Sequence, residues 1–65
     1  MNVYVVLSGE SNEGASVVGI RREFEEAKIL ALIQPRNFRG PWKDKGDNLW
    51  TNGCDFVEIE EHQVR

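Results

Sequence analysis

One stretch of the chain, Val3 to Leu7, carries an apolar side chain at every position. A strand that is apolar on both faces is typically central in its sheet. A run of turn-forming residues follows from Ser8 to Gly14, and Ser16 to Arg21 then alternates in the manner of a second strand. We expect these two strands to form an antiparallel hairpin.

The pattern changes to a helical period between Glu23 and Gln34. One apolar stripe has helical spacing: Phe24, Ala27, Leu30 and Ala31. Glutamates crowd the first turn, where they complement the helix dipole, and Pro35 ends the helix. A second apolar group points away from the stripe: Ile29, Leu32 and Ile33. We expect the segment after the helix, or another chain, to cover that second side.

The clearest turn signal is Asn52-Gly53, which lies between two strand-like runs and predicts a two-residue type I′ hairpin. This register places Trp50 opposite Asp55 and Leu49 opposite Phe56. Directly opposed residues share a face of the sheet. If the apolar residues that follow Asp55 face the helix, Trp50 faces it too, and Leu49 and Phe56 point to the other side.

The same reasoning assigns Val3, Val5 and Leu7 to the helix side of the sheet. The opposite face then has no second layer and carries an apolar group: Tyr4, Val6, Val17, Leu49 and Phe56. Uncovered apolar faces are typical of protein-binding or self-association surfaces. The alternatives are scattered surface apolar residues, or cover by the C-terminal tail.

These elements predict a single small α+β domain over residues 1–65, with one helix packed on a mainly antiparallel four-stranded sheet in the order ββαββ. The single Cys54 excludes an intramolecular disulfide and a Cys-rich zinc site. So small a domain buries little apolar surface in its core, and a homodimer would bury more. Without a signal-peptide pattern or an apolar run of membrane length, we expect a soluble, cytoplasmic protein.

The candidates for enzymatic chemistry are weak. Cys54 and His62 lie far apart along one predicted strand, which disfavours a nucleophile pair. Glu58 and Glu60 share a strand face, but we expect no substrate-sized pocket in so short a chain. One polar turn offers oxygen ligands without the spacing of a calcium loop: Glu10, Asn12 and Glu13. We therefore expect no catalytic residue, no metal and no cofactor.

The segment from Pro35 to Gly46 holds four basic residues against one acidic residue, a net +3, which leaves −6 for the remainder of a chain whose total is −3. Basic and aromatic side chains together are typical of single-stranded nucleic-acid or nucleotide sites, and also of protein interfaces. The candidate residues are Arg36, Phe38, Arg39, Trp42, Lys43 and Lys45. The overall acidity weighs against nucleic acid. A structural role, in which the aromatic rings fold over Ile29 and Ile33, is the third interpretation.

Several motifs together resemble a family of small uncharacterised domains of phage and bacterial genomes. The matching segments are Val3-Tyr4-Val5-Val6-Leu7-Ser8-Gly9-Glu10, Val17-Val18-Gly19-Ile20, Glu25-Glu26-Ala27 and the acidic strand from Asp55 to Glu61. The resemblance implies a ββαββ or ββαβ fold and a phage or mobile-element setting, and it brings no functional residues. The chain departs from the pattern at Arg21-Arg22, where such domains more often have an aromatic residue and a capping Ser or Thr, so its helix lacks a good N-cap.

The sequence therefore predicts a non-catalytic accessory protein that binds a protein. The resemblance adds the expectation that the partner is a host protein, which the chain inhibits or modulates, and that it belongs to an antiviral defence or anti-defence setting. The alternative function is single-stranded nucleic-acid or nucleotide binding through the loop 36–45. A homodimer through the sheet face is a third alternative. We expect no membrane partner.

Overall fold

The structure is a computed structural model that describes residues 1–36 and 40–64, in which the backbone forms five strands and one helix. They are β1 (Asn2–Glu10), β2 (Gly14–Arg21), α1 (Phe24–Leu32), β3 (Lys43–Asp44), β4 (Leu49–Asn52) and β5 (Asp55–Gln63). The strands form one sheet in the order β2-β1-β5-β4-β3, and each neighbouring pair is antiparallel. The predicted α+β class is confirmed.

The predicted count of four strands is wrong, because the two-residue strand β3 adds a fifth at one edge of the sheet. β3 follows the Gly40-Pro41 turn and pairs Lys43 with Thr51 and Asp44 with Trp50. The sequence did not predict this strand, since two adjacent charged residues show no alternation of apolar and polar side chains. The strand β1 lies between β2 and β5, as expected for a segment that is apolar throughout.

The helix α1 presents the predicted stripe to the sheet. Ala27 and Ala31 are buried, and Phe24 and Leu30 are half-buried against the core. The residue before the helix, Glu23, makes no capping hydrogen bond through its side chain, so the expected lack of an N-cap is confirmed. Because an alanine occupies each central position, the helix backbone lies close to the sheet.

The core lies between the helix and one face of the sheet. Its buried apolar members are Val6, Ala27, Ala31, Trp50, Val57 and Ile59. Strand register explains the set, since Val6 pairs with Ile59 and Trp50 pairs with Val57. The predicted placement of Trp50, Val57 and Ile59 beneath the helix is confirmed.

The predicted orientation of β1 is wrong. Val6 is fully buried beneath the helix, and Tyr4, on the same face, meets Phe24 in an edge-to-face contact with ring centroids 5.7 Å apart. Val3, Val5 and Leu7 therefore point to the opposite face. Alternation cannot decide between the faces of a strand that is apolar at every position, so the choice depends on what packs against it.

The predicted turn of the last hairpin is displaced by one residue. Asn52 pairs with Asp55, so the loop residues are Gly53 and Cys54, and only Gly53 has a positive φ, of 60°. Glycine at the first of two loop positions is typical of a type II′ turn. The predicted pairs Trp50–Asp55 and Leu49–Phe56 are therefore wrong, since Trp50 pairs with Val57 and Leu49 with Glu58. Each partner moves by two positions along β5, and side chains two positions apart share a face, so the assignment of Leu49 and Phe56 to one face holds.

Of the two covers expected for Ile29 and Ile33, the segment after the helix does not cover them among the described residues. Their side chains are 63% and 69% exposed. Trp42 lies instead on the other flank of the helix, where its indole Nε1–H donates to the carbonyl oxygen of Leu32 at 3.2 Å. Phe38, the second predicted covering residue, lies outside the described residues.

Candidate functional site

The side of the sheet opposite the helix, here called the far face, is apolar and uncovered. By strand register it carries Val3, Val5, Leu7, Val17, Ile20, Leu49 and Phe56. Val17 and Ile20 are 58% and 55% exposed. No described element packs against this face. The residue that follows β5, Val64, does not fold back over it, because its N–H donates to the carbonyl oxygen of Met1 at the start of β1. The predicted uncovered face therefore exists, with different members on β1.

A polar stripe divides the far face along the central strand β5. Glu58 pairs with Leu7 on one side and Leu49 on the other, and Glu60 pairs with Val5. His62 closes the stripe, with its Nε2 3.6 Å from a carboxylate oxygen of Glu60. Two carboxylates thus lie within an aliphatic surface, an arrangement that complements a partner with cationic side chains among apolar ones.

The five predicted sheet-face residues divide into two groups. Val17, Leu49 and Phe56 lie on the far face. Val6 is in the core and Tyr4 packs on the helix, so neither belongs to an uncovered surface. The prediction of Tyr4 and Val6 as binding residues is thus a consequence of the wrong orientation of β1.

In the basic segment, the Trp42 side chain packs against the rest of the fold. Its ring is half-buried against the core, its N–H bonds to Leu32, and the guanidinium carbon of Arg36 lies 5.7 Å from its ring centroid. A base would have to displace Arg36 to stack on that face of the ring. Phe38 and Arg39 lie outside the described residues.

The two predicted lysines of this segment lie away from Trp42's indole contacts. Lys43 pairs with Thr51, and Thr51 shares the face of Leu49, so Lys43 borders the far face at its outer edge. Lys45 is exposed in the turn between β3 and β4, where its N–H donates to the carbonyl oxygen of Leu49. The structure therefore does not gather Lys43, Lys45 and Trp42 into one platform.

Asn52 fixes the basic segment to the sheet. Its side chain is buried, and its Nδ2 donates to the carbonyl oxygens of Gly40 at 3.1 Å and Pro41 at 3.3 Å. Bonds from a buried amide to two carbonyls hold the chain in one path as it enters β3. The sequence assigned Asn52 to the turn and did not foresee this role.

The candidate chemical groups do not converge. Cys54 is exposed in the last hairpin turn, whereas His62 lies at the opposite end of β5, about 26 Å away for eight residues of extended strand. Glu58 and Glu60 share the far face, as predicted, in an open position. Within residues 1–36 and 40–64, no three His, Cys, Asp or Glu side chains form a group that could hold a metal ion.

A groove of about 360 Å³ opens at the end of β1 nearest the helix C-terminus. Its lining is mixed in charge: Ser8, Gly9, Glu10, Gln34, Pro35, Arg36 and Asp55. The volume is at the low end of the roughly 300–1,000 Å³ of small-molecule sites, larger than so short a chain suggested. Glu10 and Asp55 are both engaged in interactions of their own, so they do not form a free carboxylate pair.

The far-face residues that sequence reasoning missed are Val3, Val5, Leu7 and Ile20. One signal could have found them. Glycine inside a strand often marks the close approach of another element, and Gly19 pairs with Val6 directly beneath the helix. Reading Gly19 as the contact point of the helix would have turned Val6 inward and Val5 outward.

Comparisons with known protein families, with curated proteins and with solved structures give no match. Within the described residues, no helix is long and apolar enough to span a membrane.

Proposed function

We propose that this chain is a non-catalytic protein-binding module that docks a partner protein on its far face. The observation that carries the proposal is the uncovered apolar face of the sheet, on which Val17 and Ile20 of β2 are exposed and Leu49 of β4 and Phe56 of β5 are half-buried. A contiguous apolar sheet face that no other element covers is typical of an interaction site. The setting in a phage or mobile element, and the inhibition of a host factor, rest on the sequence resemblance alone.

The charge of the far face limits the kinds of protein surface that complement it. Glu58 and Glu60 lie at its centre, so a partner surface that places Lys or Arg among aliphatic side chains complements it. Two copies docked face to face would bring these carboxylates together, which disfavours a homodimer through this face. Like charges opposed across an interface weaken the wrong pairing.

The experiment is a capture assay with tagged protein in bacterial lysate, read by mass spectrometry. It compares the wild type with Leu49→Lys on the far face and with Ile29→Lys, a matched change on the exposed flank of the helix. We expect one protein in near-equal amount with the wild type and Ile29→Lys, and its loss with Leu49→Lys. Retention by Leu49→Lys would contradict the proposal.

The same assay tests the nucleic-acid alternative by repeating the capture after nuclease treatment and a moderate-salt wash. Binding through phosphate contacts falls steeply with salt. We expect the captured protein to persist. Recovery of nucleic acid, or loss of every captured protein after nuclease, would move the function to the loop 36–45.

A further inference from the structure

The exposed apolar side chains of the described residues gather around one edge of the sheet. The large ones are Met1, Val17, Val18, Ile20, Ile29, Ile33 and Val64. Two of these lie at the chain ends, and the other five lie on β2 or on the helix flank above it. A groove of about 250 Å³ joins the two elements and is lined by Arg21, Glu26, Ile29, Leu30 and Ile33. The edge formed by β2 is therefore apolar on both sides.

The two edges of the sheet differ in how they are protected. β3 is two residues long and both are charged, and short charged edge strands resist pairing with other chains. β2 has eight residues, and its one charged residue is Arg21. The pairing of β2 with β1 shifts register between Val6 and Leu7, and such a bulge protects an edge in part. The outer side of β2 nevertheless has no strand partner among the described residues. An edge of this kind is a template for another strand.

We propose that β2 pairs with β2 of a second copy of this chain, in the antiparallel direction, to form a dimer with a continuous ten-stranded sheet. This proposal goes beyond the proposed function. It uses the β2 edge and the helix flank above it, and it shares only Val17 and Ile20 with the far face. The two-fold axis stands perpendicular to the sheet, so both helices lie on the same side of it. The helix lies over β1, with β2 and β5 on either side of it. Strands lie about 4.8 Å apart, so the two helices come about 14 Å from each other. This is wider than the roughly 8–10 Å of closely packed helices, so contact between them depends on the side chains of their facing flanks.

This geometry covers the apolar residues that the single chain leaves exposed. The flank that carries Ile29 and Ile33 faces the β2 side, because both residues share a groove with Arg21. Across the two-fold axis this flank meets its own counterpart. On the far face, Val17 and Ile20 of the two copies become neighbours, while Leu49 and Phe56 stay open for a partner.

The charged residues at the two ends of β2 favour a second copy of this chain as its partner, and they favour antiparallel over parallel pairing. Glu13 precedes β2, and Arg21 and Arg22 stand at its other end. Antiparallel pairing brings the arginine end of each copy to the glutamate end of the other, twice by symmetry, whereas parallel pairing would oppose like charges. Within one chain, Glu13 and Arg22 are separated by a strand about 26 Å long, so they do not contact each other.

The test is the molar mass as a function of concentration, by sedimentation equilibrium or light scattering. We expect the mass to rise from 7.4 kDa toward twice that value. Ile29→Lys should raise the dimer dissociation constant at least about tenfold, because it removes apolar burial at two symmetric places. Leu49→Lys, three strands away from β2, should leave the constant unchanged. A wild type that stays monomeric up to its solubility limit overturns the proposal.

A charge exchange separates loss of pairing from loss of folding. Glu13 and Arg22 are both exposed, so Glu13→Arg and Arg22→Glu should leave the monomer intact. Each single change should weaken the dimer by up to roughly tenfold, since it creates two like-charge contacts, and the double variant should restore it. A dimer that ignores both single changes, or one that Leu49→Lys alone abolishes, contradicts pairing through β2.

Discussion

Leu30 of the helix packs directly onto Gly19 of β2: a Cβ added at Gly19 would lie 2.5 Å from the Leu30 Cδ2 atom. The helix therefore rests on the sheet where β2 has no side chain. Gly19 pairs with Val6, so the contact lies on the side of β1 that is buried, and the residues that alternate with Val6 form the far face.

Gly19→Val should destabilise the domain by roughly 1–3 kcal/mol, because a branched side chain overpacks the space filled by Leu30. Urea unfolding measures the change. Ser16→Val in the exposed part of the same strand is the control, and it should be near neutral.

The double variant Gly19→Val with Leu30→Ala makes the test specific. Residues in contact deviate from additivity, so we expect Leu30→Ala to relieve most of the cost of Gly19→Val. Additive costs would show that the two residues do not share this space.

The two faces of β1 can be distinguished by exchanging valine for threonine, which has nearly the same shape. Val6→Thr places a hydroxyl group in the core and should cost about 2 kcal/mol. Val5→Thr, on the far face, should cost less than about 0.5 kcal/mol. Thermal or urea unfolding of the two variants compares them, and the reverse ranking would restore the orientation predicted from the sequence.

Asn52→Ala should cost roughly 1–3 kcal/mol, because it leaves the carbonyl groups of Gly40 and Pro41 without their buried donor. The neighbouring Thr51→Ala, half-buried on the other face, is the matched control and should cost less. Amide hydrogen exchange of residues 40–44 gives a second readout. Unchanged protection there in Asn52→Ala would show that the side chain does not hold this segment.

Trp42→Ala should destabilise the fold by about 2 kcal/mol, through lost packing and a lost hydrogen bond to Leu32. Trp42→Phe should recover the packing but not the bond. Unfolding followed by circular dichroism, which does not depend on the tryptophan signal, measures both variants. A fully stable Trp42→Ala protein would make this ring available for ligand stacking and would favour the nucleic-acid alternative.

The sequence predicted the parts of the fold that depend on strong local periodicity. The helix stripe of Ala27 and Ala31, the interior position of β1 between two other strands and the inward side of Trp50 follow from local spacing, and each is confirmed. These features need no knowledge of distant contacts, because the side-chain period of a helix or strand defines its buried face.

The remaining features depend on tertiary contacts that no local period encodes. The orientation of β1 follows from Leu30 meeting Gly19, and the turn at Gly53 and Cys54 follows from Asn52 being held beneath the Gly40-Pro41 segment. The exposure of Ile29 and Ile33 likewise depends on which flank of the helix receives Trp42. The existence of an uncovered apolar face was predictable, but its membership on β1 was not.

The most direct test of binding through the far face is an NMR titration of the labelled domain with the captured partner. We predict that the methyl and amide signals of Val5, Leu7 and Leu49 and the amide signal of Phe56 shift, while signals from Gly40 to Lys45 and from the helix stay in place. Shifts concentrated in the segment 40–45 or on the helix, with an unperturbed far face, would contradict the account.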